Sequence, residues 1–208
     1  RIWIRDQNLS SNDAFEALLE QIRIEIEYAV ARVMTAVPDY MVMGMSAETF
    51  WGGMEGNRQF VNQIKAWTGL DVATGAEACE RALHLFGAKR IGVVTPYQSI
   101  GDDNVIRFFS EIGFDVVRIK GLKCPTAVSI AHVTEAELRQ ALLEIDGDDV
   151  DALVQAGTNL SMVQLADEAE RWLGKPVLAT NAATWWMALR DNGIEDKVYG
   201  AGRLLREF

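Results

Sequence analysis

The stretch Asp39-Tyr40-Met41-Val42-Met43-Gly44-Met45-Ser46 is repeated in its layout by Asp151-Ala152-Leu153-Val154-Gln155-Ala156-Gly157-Thr158. Each stretch is a short apolar run, as in a buried strand, that opens into a loop of small residues. The offset between matching positions is constant at 112 residues. A repeated strand and loop in one chain indicates two similar α/β halves, so we expect the two loops on opposite walls of one cleft.

A second repeat supports the same organisation. Thr74-Gly75-Ala76 recurs 106 residues later as Thr180-Asn181-Ala182. Strand and helix patterns alternate along the chain, which is typical of parallel sheets. We therefore predict an α/β fold of two pseudo-symmetric lobes, each a short parallel sheet flanked by helices, with the site in the cleft between them. The approximate boundaries are 1–73 with 181–208 for the first lobe and 74–180 for the second.

Local patterns predict the individual elements. Strands are expected at 1–5, 40–43, 69–72, 90–95, 114–119, 152–155 and 177–179. Helices are expected from a cap at Ser11, after the glycines at 52–53, at 76–86, at 105–112, from a capping box at Thr134 through Ile145, at 160–173 and at 182–191. Ligands bind such sheets at the carboxyl ends of strands, where Gly44, Thr95, Gly157 and Thr180 fall.

Composition excludes several classes of partner. The 208 residues are 49% hydrophobic and 24% charged, as in an ordinary globular protein. Thirty acidic and twenty basic residues give a net charge of −10, which repels nucleic acids and anionic membrane surfaces. No apolar stretch is long enough to span a bilayer, and no leader pattern precedes the first strand. We expect a cytoplasmic protein without nucleic-acid or membrane partners.

Cysteine and histidine are too few for a disulfide framework or a zinc site, so we expect no metal. The chain has two cysteines, Cys79 and Cys124, and two histidines. Cys79 falls on an apparently buried helix face and is interpreted as structural. Cys124 lies in a loop beside Lys123, whose charge could lower the pKa of the thiol, and is a weak catalytic candidate.

Two of the strand exits suit a carboxylate or a phosphate. The loops Gly44-Met45-Ser46 and Gly157-Thr158-Asn159 offer main-chain N–H groups and hydroxyls at the start of a helix. The alternative is that the glycines only form the turns and the hydroxyls only cap helices. Tyr97 follows a third strand, where its phenol could donate to the same anion or could simply pack.

These motifs, in this order, resemble the aspartate/glutamate racemase superfamily. The residues that carry the resemblance are Val42-Met43-Gly44-Met45-Ser46, Arg90-Ile91-Gly92-Val93-Val94-Thr95-Pro96-Tyr97, Ala156-Gly157-Thr158 and Trp172-Leu173-Gly174-Lys175-Pro176-Val177. The nearest branch is that of maleate cis-trans isomerase and arylmalonate decarboxylase. The family's first strand and following polar loop precede anything in this sequence, so the chain is expected to begin at the second strand.

The resemblance implies cofactor-free chemistry by one or two cysteines on opposite walls of the cleft. By position these cysteines fall at Gly44 and Ala156, and neither is cysteine here. The decarboxylase branch likewise has glycine at the first position and holds a carboxylate with a hydroxyl-rich loop and a tyrosine, which match Ser46 and Tyr97. Met45 stands where the family has a polar residue. Three explanations for Ala156 are open: another donor such as Cys124, binding without turnover, or deliberate replacement of a cysteine.

The resulting hypothesis is a cofactor-independent isomerase or decarboxylase of a small dicarboxylic acid. One carboxylate would be held by Ser46, Tyr97, Gly157, Thr158 and Asn159, which stabilises an enediolate or adduct intermediate. The alternative is a non-catalytic small-acid binding protein that has lost the wall cysteines. Nucleotide binding ranks last because no strand is followed by GxGxxG. Neighbouring Trp185 and Trp186 suggest a homo-oligomer interface or a wall of the cleft.

Overall fold

Two parallel sheets form the framework of the computed structural model, which describes residues 2–208. Its strands are β1 (Met41–Val42), β2 (Val72–Ala73), β3 (Arg90–Thr95), β4 (Asp115–Gly121), β5 (Ala152–Gln155) and β6 (Val177–Ala179). β1 pairs with β2 in a two-stranded sheet, and the other four pair in the order β4-β3-β5-β6. All of these pairings are parallel, and the predicted α/β class is confirmed.

Helices connect the strands and cover the sheets. They are α1 (Asn12–Val33), α2 (Ala47–Phe50), α3 (Gly53–Thr68), α4 (Gly75–Leu85), α5 (Ser99–Glu111), α6 (Ala127–Ile130), α7 (Glu135–Ile145), α8 (Val163–Leu173), α9 (Thr180–Asp191) and α10 (Arg203–Glu207), with a 3-10 turn at Met34–Ala36. The capping box predicted for α7 is confirmed, because Thr134 and Glu137 each accept from the other's main-chain N–H.

The central strands are buried on both faces, as a parallel sheet requires. β3 contributes Ile91, Val93 and Val94 to the core, and β5 contributes Leu153 and Val154. Burying a side chain of this size stabilises the fold by about 1.5–3 kcal/mol. These two strands therefore form a rigid support for the loops that leave their carboxyl ends.

The two repeats meet each other in space. α4 and α9 begin at the repeat-equivalent positions Thr74–Gly75 and Thr180–Asn181, and they pack together. Their first turns approach so closely that a Cβ added at Gly75 would lie 2.6 Å from Thr180 Oγ1. Equivalent elements in contact are the arrangement expected of two pseudo-symmetric halves. The boundaries 1–73 with 181–208 and 74–180 stay a prediction, and each sheet falls within one predicted lobe.

Four predicted elements differ from the structure. β2 covers Val72–Ala73, whereas a strand was expected at 69–72. Residues 2–5 form no strand, because Ile2 and Ile4 pack on the core without joining a ladder, and Arg1 lies outside the described residues. α8 begins at Val163, three residues later than predicted. α5 begins at Ser99, six residues earlier than predicted. Gly101 lies inside α5, and a Cβ at this position would come within 2.6 Å of Tyr97 Cβ. The residue is therefore glycine because the helix packs closely on Tyr97, and it does not mark a loop.

The aromatic pair on α9 is divided between surface and core. Trp185 is 53% exposed, whereas Trp186 is buried with the Arg81 guanidinium 5.5 Å from its ring centroid. Only Trp185 can therefore serve an interface, and the homo-oligomer stays a prediction. Across residues 2–208, no helix has both the length and the apolar character needed to cross a bilayer.

Candidate functional site

Ser46 joins the two repeated loops. Its Oγ accepts a hydrogen bond from the Thr158 main-chain N–H at 3.0 Å and lies 2.8 Å from the Tyr97 hydroxyl. Ser46 immediately precedes α2, and its side chain is buried. The hydroxyl therefore binds across the cleft. It does not cap the helix that follows, which was the alternative interpretation of this loop. The predicted meeting of the two loops is observed.

Tyr97 is held in place from both ends. Its ring packs 5.7 Å from that of Phe15 in α1, and its main-chain N–H donates to Thr95 Oγ1 at 3.1 Å. Thr95 Oγ1 in turn donates to the Asp102 carboxylate. Burial raises the pKa of the Tyr97 phenol well above its ordinary value, although the hydrogen bond with Ser46 opposes the rise. The phenol is therefore a protonated hydrogen-bonding group at neutral and mildly alkaline pH.

The second wall is built from main chain. Gly157 has φ +105°, and a Cβ at this position would lie 2.5 Å from Pro96 Cδ. Glycine is thus required both by the backbone conformation and by the neighbouring proline. The buried Gln155 side chain donates from Nε2 to the carbonyls of Ala156 and Gly157, each at 2.7 Å. These two hydrogen bonds fix the orientation of two successive peptide groups in the turn after β5.

Asn159 and Asn181 tie this loop to its surroundings. Asn159 Nδ2 donates to the Ala127 carbonyl at 2.7 Å, which links the loop to α6. Asn181 Nδ2 donates to the Thr158 carbonyl at 2.9 Å, which links it to α9. One hydrogen of the Asn159 amide is used on α6, so the side chain positions the loop and keeps one N–H that a guest in the cavity can engage.

A cavity of about 350 Å³ lies between the loops. It is lined by Ile4, Asp6, Leu9, Phe15, Leu18, Ile22, Gly44, Met45, Ser46, Ala47, Pro96, Tyr97, Gln98, Cys124, Ala127, Val128, Ile130, Gly157, Thr158 and Asn159. Most of this surface is aliphatic or aromatic. Asp6 is the one charged residue among the described residues of the lining, and its Oδ1 accepts from the Val128 N–H at 3.2 Å. The polar groups are concentrated at the meeting point of the loops.

The two positions that correspond to the family cysteines, 44 and 156, lie in different environments. Gly44 lines the cavity, and a Cβ added there has no atom within 4 Å. Ala156 is fully buried and outside the lining, with its N–H donating to the Val94 carbonyl at 2.9 Å. Gly157, the next residue, reaches the cavity instead. The catalytic roles of positions 44 and 156 stay predictions.

The structure corrects the expectation for Cys124. The residue lines the cavity but is only 7% exposed, with its N–H donating to the Pro96 carbonyl at 3.0 Å. Burial, assisted by the negative charge of Glu137, raises the pKa of the thiol, so the predicted lowering by Lys123 is wrong. Cys79 is fully buried as expected, and burial raises its pKa to about 12. Both cysteines are therefore neutral thiols at pH 7.

Sequence reasoning missed one side of the cavity. Phe15, Leu18 and Ile22 follow helical spacing and were assignable only to a buried helix face, yet they form the apolar wall opposite the loops. The segment at 4–9 and helix α6 complete this wall. The one signal for them in the sequence is the apolar stripe of α1, which does not distinguish a core contact from a cavity lining.

Comparison with known proteins places this geometry in context. The family model described as arylmalonate decarboxylase matches residues 7–205. A maleate isomerase of Pseudomonas putida is 33% identical over 135 residues, which is 64% of this chain and 54% of the relative. The chain thus matches about half the length of this relative. An arylmalonate decarboxylase of Bordetella bronchiseptica is 25% identical over 201 residues, or 94% of this chain and 81% of the relative.

Solved structures share the fold. The maleate cis-trans isomerase of Nocardia farcinica, in a mutant form with a covalently bound succinylcysteine intermediate, superposes with a TM-score of 0.88 at 23% identity. This similarity covers 97% of the present chain and 83% of the isomerase chain. An arylmalonate decarboxylase structure superposes with a TM-score of 0.80 at 22% identity, covering 90% and 83% of the two chains. At this identity the superpositions show the fold.

Proposed function

The chain belongs to the arylmalonate decarboxylase family, and from that membership we propose that it is a cofactor-independent enzyme acting on a small dicarboxylic acid by decarboxylation or isomerisation. The observation that supports this proposal is the junction of Ser46, Tyr97 and the Thr158 N–H at one end of a mostly apolar cavity. Such a junction suits one carboxylate, with the remainder of the molecule in apolar surroundings.

A count of hydrogen atoms supports carboxylate binding. Ser46 and Tyr97 share one hydrogen bond, which uses the hydrogen of one hydroxyl and leaves the other hydroxyl hydrogen free to donate elsewhere. Among the bonds of residues 2–208, the Gly157 N–H donates to no acceptor. A bound carboxylate can therefore accept from a hydroxyl and from the main chain of the facing loop.

This arrangement can stabilise the charge that develops in either reaction. When carbon dioxide leaves the α-carbon, the C–C bond electrons pass into the remaining carboxylate and form an enediolate. The one free hydroxyl hydrogen of the Ser46–Tyr97 pair and the Gly157 N–H donate to the oxygens on which this negative charge accumulates. Because the surrounding cavity is apolar, each donated hydrogen bond is stronger there than in water.

A proton must then be added to the α-carbon. Cys124 and Tyr97 both line the cavity, and burial raises the pKa of each, so each carries a proton at neutral pH. A neutral thiol can give its proton to the α-carbon of the enediolate and regain one from water. We propose Cys124 as this donor, with Tyr97 in the carboxylate cradle, because Ser46 already engages the phenol.

The apolar lining favours decarboxylation over isomerisation. A carboxylate that leaves as carbon dioxide is charged in the bound substrate and neutral as product, so apolar surroundings favour its loss. Isomerisation keeps both carboxylates charged throughout and needs donors for both. Asp6, the charged residue of the lining, would repel a second retained carboxylate.

Isomerisation is the second candidate, because the maleate isomerase of Pseudomonas putida is 33% identical over its matched region. Incubation of the protein with phenylmalonate and with maleate distinguishes the two, using carbon dioxide release and fumarate formation as readouts. Carbon dioxide from phenylmalonate is the expected result. Calorimetric binding of both acids without turnover of either would instead identify a non-catalytic small-acid binding protein and overturn the proposal.

A further inference from the structure

We propose that Gln155 is a positioning residue of the site: its buried side-chain amide holds two successive carbonyls so that the N–H groups of Gly157 and Thr158 face the cavity. This inference rests on the proposed function for its catalytic consequence, although the orientation of the loop can be tested separately. Gln155 does not line the cavity and acts through the main chain that does.

Gln155 is an unusual residue for its place in the fold. It ends β5, whose preceding residues Ala152, Leu153 and Val154 are apolar and fully buried, and it is itself only 1% exposed. A buried amide is costly unless its hydrogen bonds are made. Here both hydrogens of Nε2 are used, one on the Ala156 carbonyl and one on the Gly157 carbonyl, each at 2.7 Å.

The chemistry of these contacts fixes which end of the amide faces the loop. Both partners are carbonyl oxygens, which only accept, so the nitrogen and not the oxygen of the Gln155 amide must face them. A side chain without a donor at this point would leave two carbonyls without these bonds. The positive φ of Gly157, +105°, is what brings two successive carbonyls onto one donor group.

Fixing the two carbonyls also fixes the direction of the N–H groups in the same peptide units. In a trans peptide the N–H points opposite to the C=O of the same unit. Holding the Ala156 carbonyl toward Gln155 therefore turns the Gly157 N–H away from it, and holding the Gly157 carbonyl does the same for the Thr158 N–H. The Thr158 N–H indeed reaches Ser46 Oγ on the opposite loop at 3.0 Å. Since the Thr158 N–H is used by Ser46, the neighbouring Gly157 N–H on the same side is the main-chain donor left for a bound anion.

The test compares two substitutions of equal size. Gln155→Met removes the donor at every pH. Gln155→Glu removes it when the new carboxyl is ionised and restores one O–H donor when the carboxyl is protonated. Exposed Gln63 on α3 provides the control Gln63→Glu, the same chemical change away from the site.

The first measurement is amide hydrogen exchange by NMR, with no ligand present, expressed as protection factors at pH 5 and pH 8. We expect protection of the Thr158 amide to fall at least tenfold in Gln155→Met at both pH values. In Gln155→Glu it should fall at pH 8 and recover at pH 5. The amides of Leu153 and Val154 in β5 should keep their protection, which separates loop reorientation from general destabilisation.

The second measurement is steady-state turnover and calorimetric binding of phenylmalonate. We expect kcat/KM to fall at least tenfold in Gln155→Met, and to fall at pH 8 but recover toward the wild-type value at pH 5 in Gln155→Glu. Thr158 protection and phenylmalonate binding equal to wild type in both variants would overturn the inference. If the wild-type protein neither binds nor converts phenylmalonate or maleate, the proposed function fails, and the exchange data alone decide the role of Gln155.

Discussion

Ser46 Oγ accepts a hydrogen bond from the Thr158 N–H at 3.0 Å, and these two residues are equivalent positions of the repeat, 112 residues apart. Equivalent points of a two-fold arrangement can touch only beside its axis. A pseudo-two-fold axis relating the two halves would pass through the junction of the two loops, next to the cavity. A guest bound there is contacted by both halves of the chain at once.

Replacing Ser46 by alanine should damage both stability and turnover. The Thr158 N–H would lose its acceptor and Tyr97 its partner, which should lower the free energy of unfolding by about 1–3 kcal/mol. If a carboxylate is held here, kcat/KM for the accepted diacid should fall by roughly 100-fold. Chemical denaturation and steady-state kinetics measure the two effects. Ser110→Ala, on the exposed side of α5, is the control, and equal behaviour of the two variants would contradict the prediction.

Replacing Tyr97 by phenylalanine isolates the phenol hydroxyl. The ring contact with Phe15 is retained, so thermal unfolding should change little. Loss of one donor to the developing charge should reduce kcat by roughly 100-fold. Because burial raises the pKa of Tyr97, wild-type activity should not decline through phenol ionisation up to about pH 10, the ordinary value for tyrosine. An inflection in log kcat below that pH that disappears in Tyr97→Phe would refute this assignment.

The glycine of the second loop can be tested against a glycine of similar conformation. Gly157→Ala meets both an unfavourable φ and Pro96 Cδ at 2.5 Å, and should cost about 2–4 kcal/mol of stability. Gly113→Ala, at φ +94° with no atom within 4 Å of the added Cβ, should cost about 1–2 kcal/mol. Urea denaturation measures the difference, which reports the Pro96 contact. Equal costs would mean that the contact relaxes.

The reactivity of introduced cysteines tests whether positions 44 and 156, which correspond to the family cysteines, open onto the cavity. A cysteine at the open wall position Gly44 should react with a thiol reagent within seconds to minutes, because an added side chain meets no atom within 4 Å. Ala156→Cys should react at least tenfold more slowly, since this position is fully buried. The wild-type protein supplies the background from Cys79 and Cys124. Similar rates at 44 and 156 would show that position 156 also opens onto the cavity.

Asp102 should make stability depend on pH. Burial raises its pKa to about 6 from an ordinary 3.8, so the folded state binds the proton more tightly than the unfolded state. The stabilisation from protonation is complete below the ordinary pKa and is lost as pH rises through about 6. Asp102→Asn should therefore be more stable than wild type at pH 8, by on the order of 1 kcal/mol after allowance for solvent screening.

Denaturation at pH 4, 6 and 8 checks this dependence. The wild-type protein should lose stability relative to Asp102→Asn between pH 4 and pH 8, whereas the exposed control Asp148→Asn should follow the wild-type curve. Parallel curves for wild type and Asp102→Asn would show that the Thr95 hydroxyl offsets the effect of burial on the carboxyl.

The facing loops could be predicted from the sequence because repeated units form similar halves. Matching strands in two such halves place the loops at their carboxyl ends opposite each other. Positions 46 and 158 could be paired on that ground alone. The neutral state of Cys124 could not be predicted, because its environment is set by chain distant in sequence, such as the Pro96 carbonyl and Glu137. The start of α5 at Ser99 could not be predicted either, since the tight packing of Gly101 on Tyr97 is visible only in three dimensions.

The unlike chemistry of Ser46 and Thr158 has a stereochemical consequence. One half of the chain meets the cavity through a side-chain hydroxyl, and the other meets it through a main-chain amide. A flat, prochiral intermediate lying between them presents its two enantiotopic faces to different surroundings, and Cys124 stands at only one place in the lining. If Cys124 is the proton donor of the proposed decarboxylation, reprotonation occurs from one face, and a substituted malonate yields a single enantiomer of its monoacid.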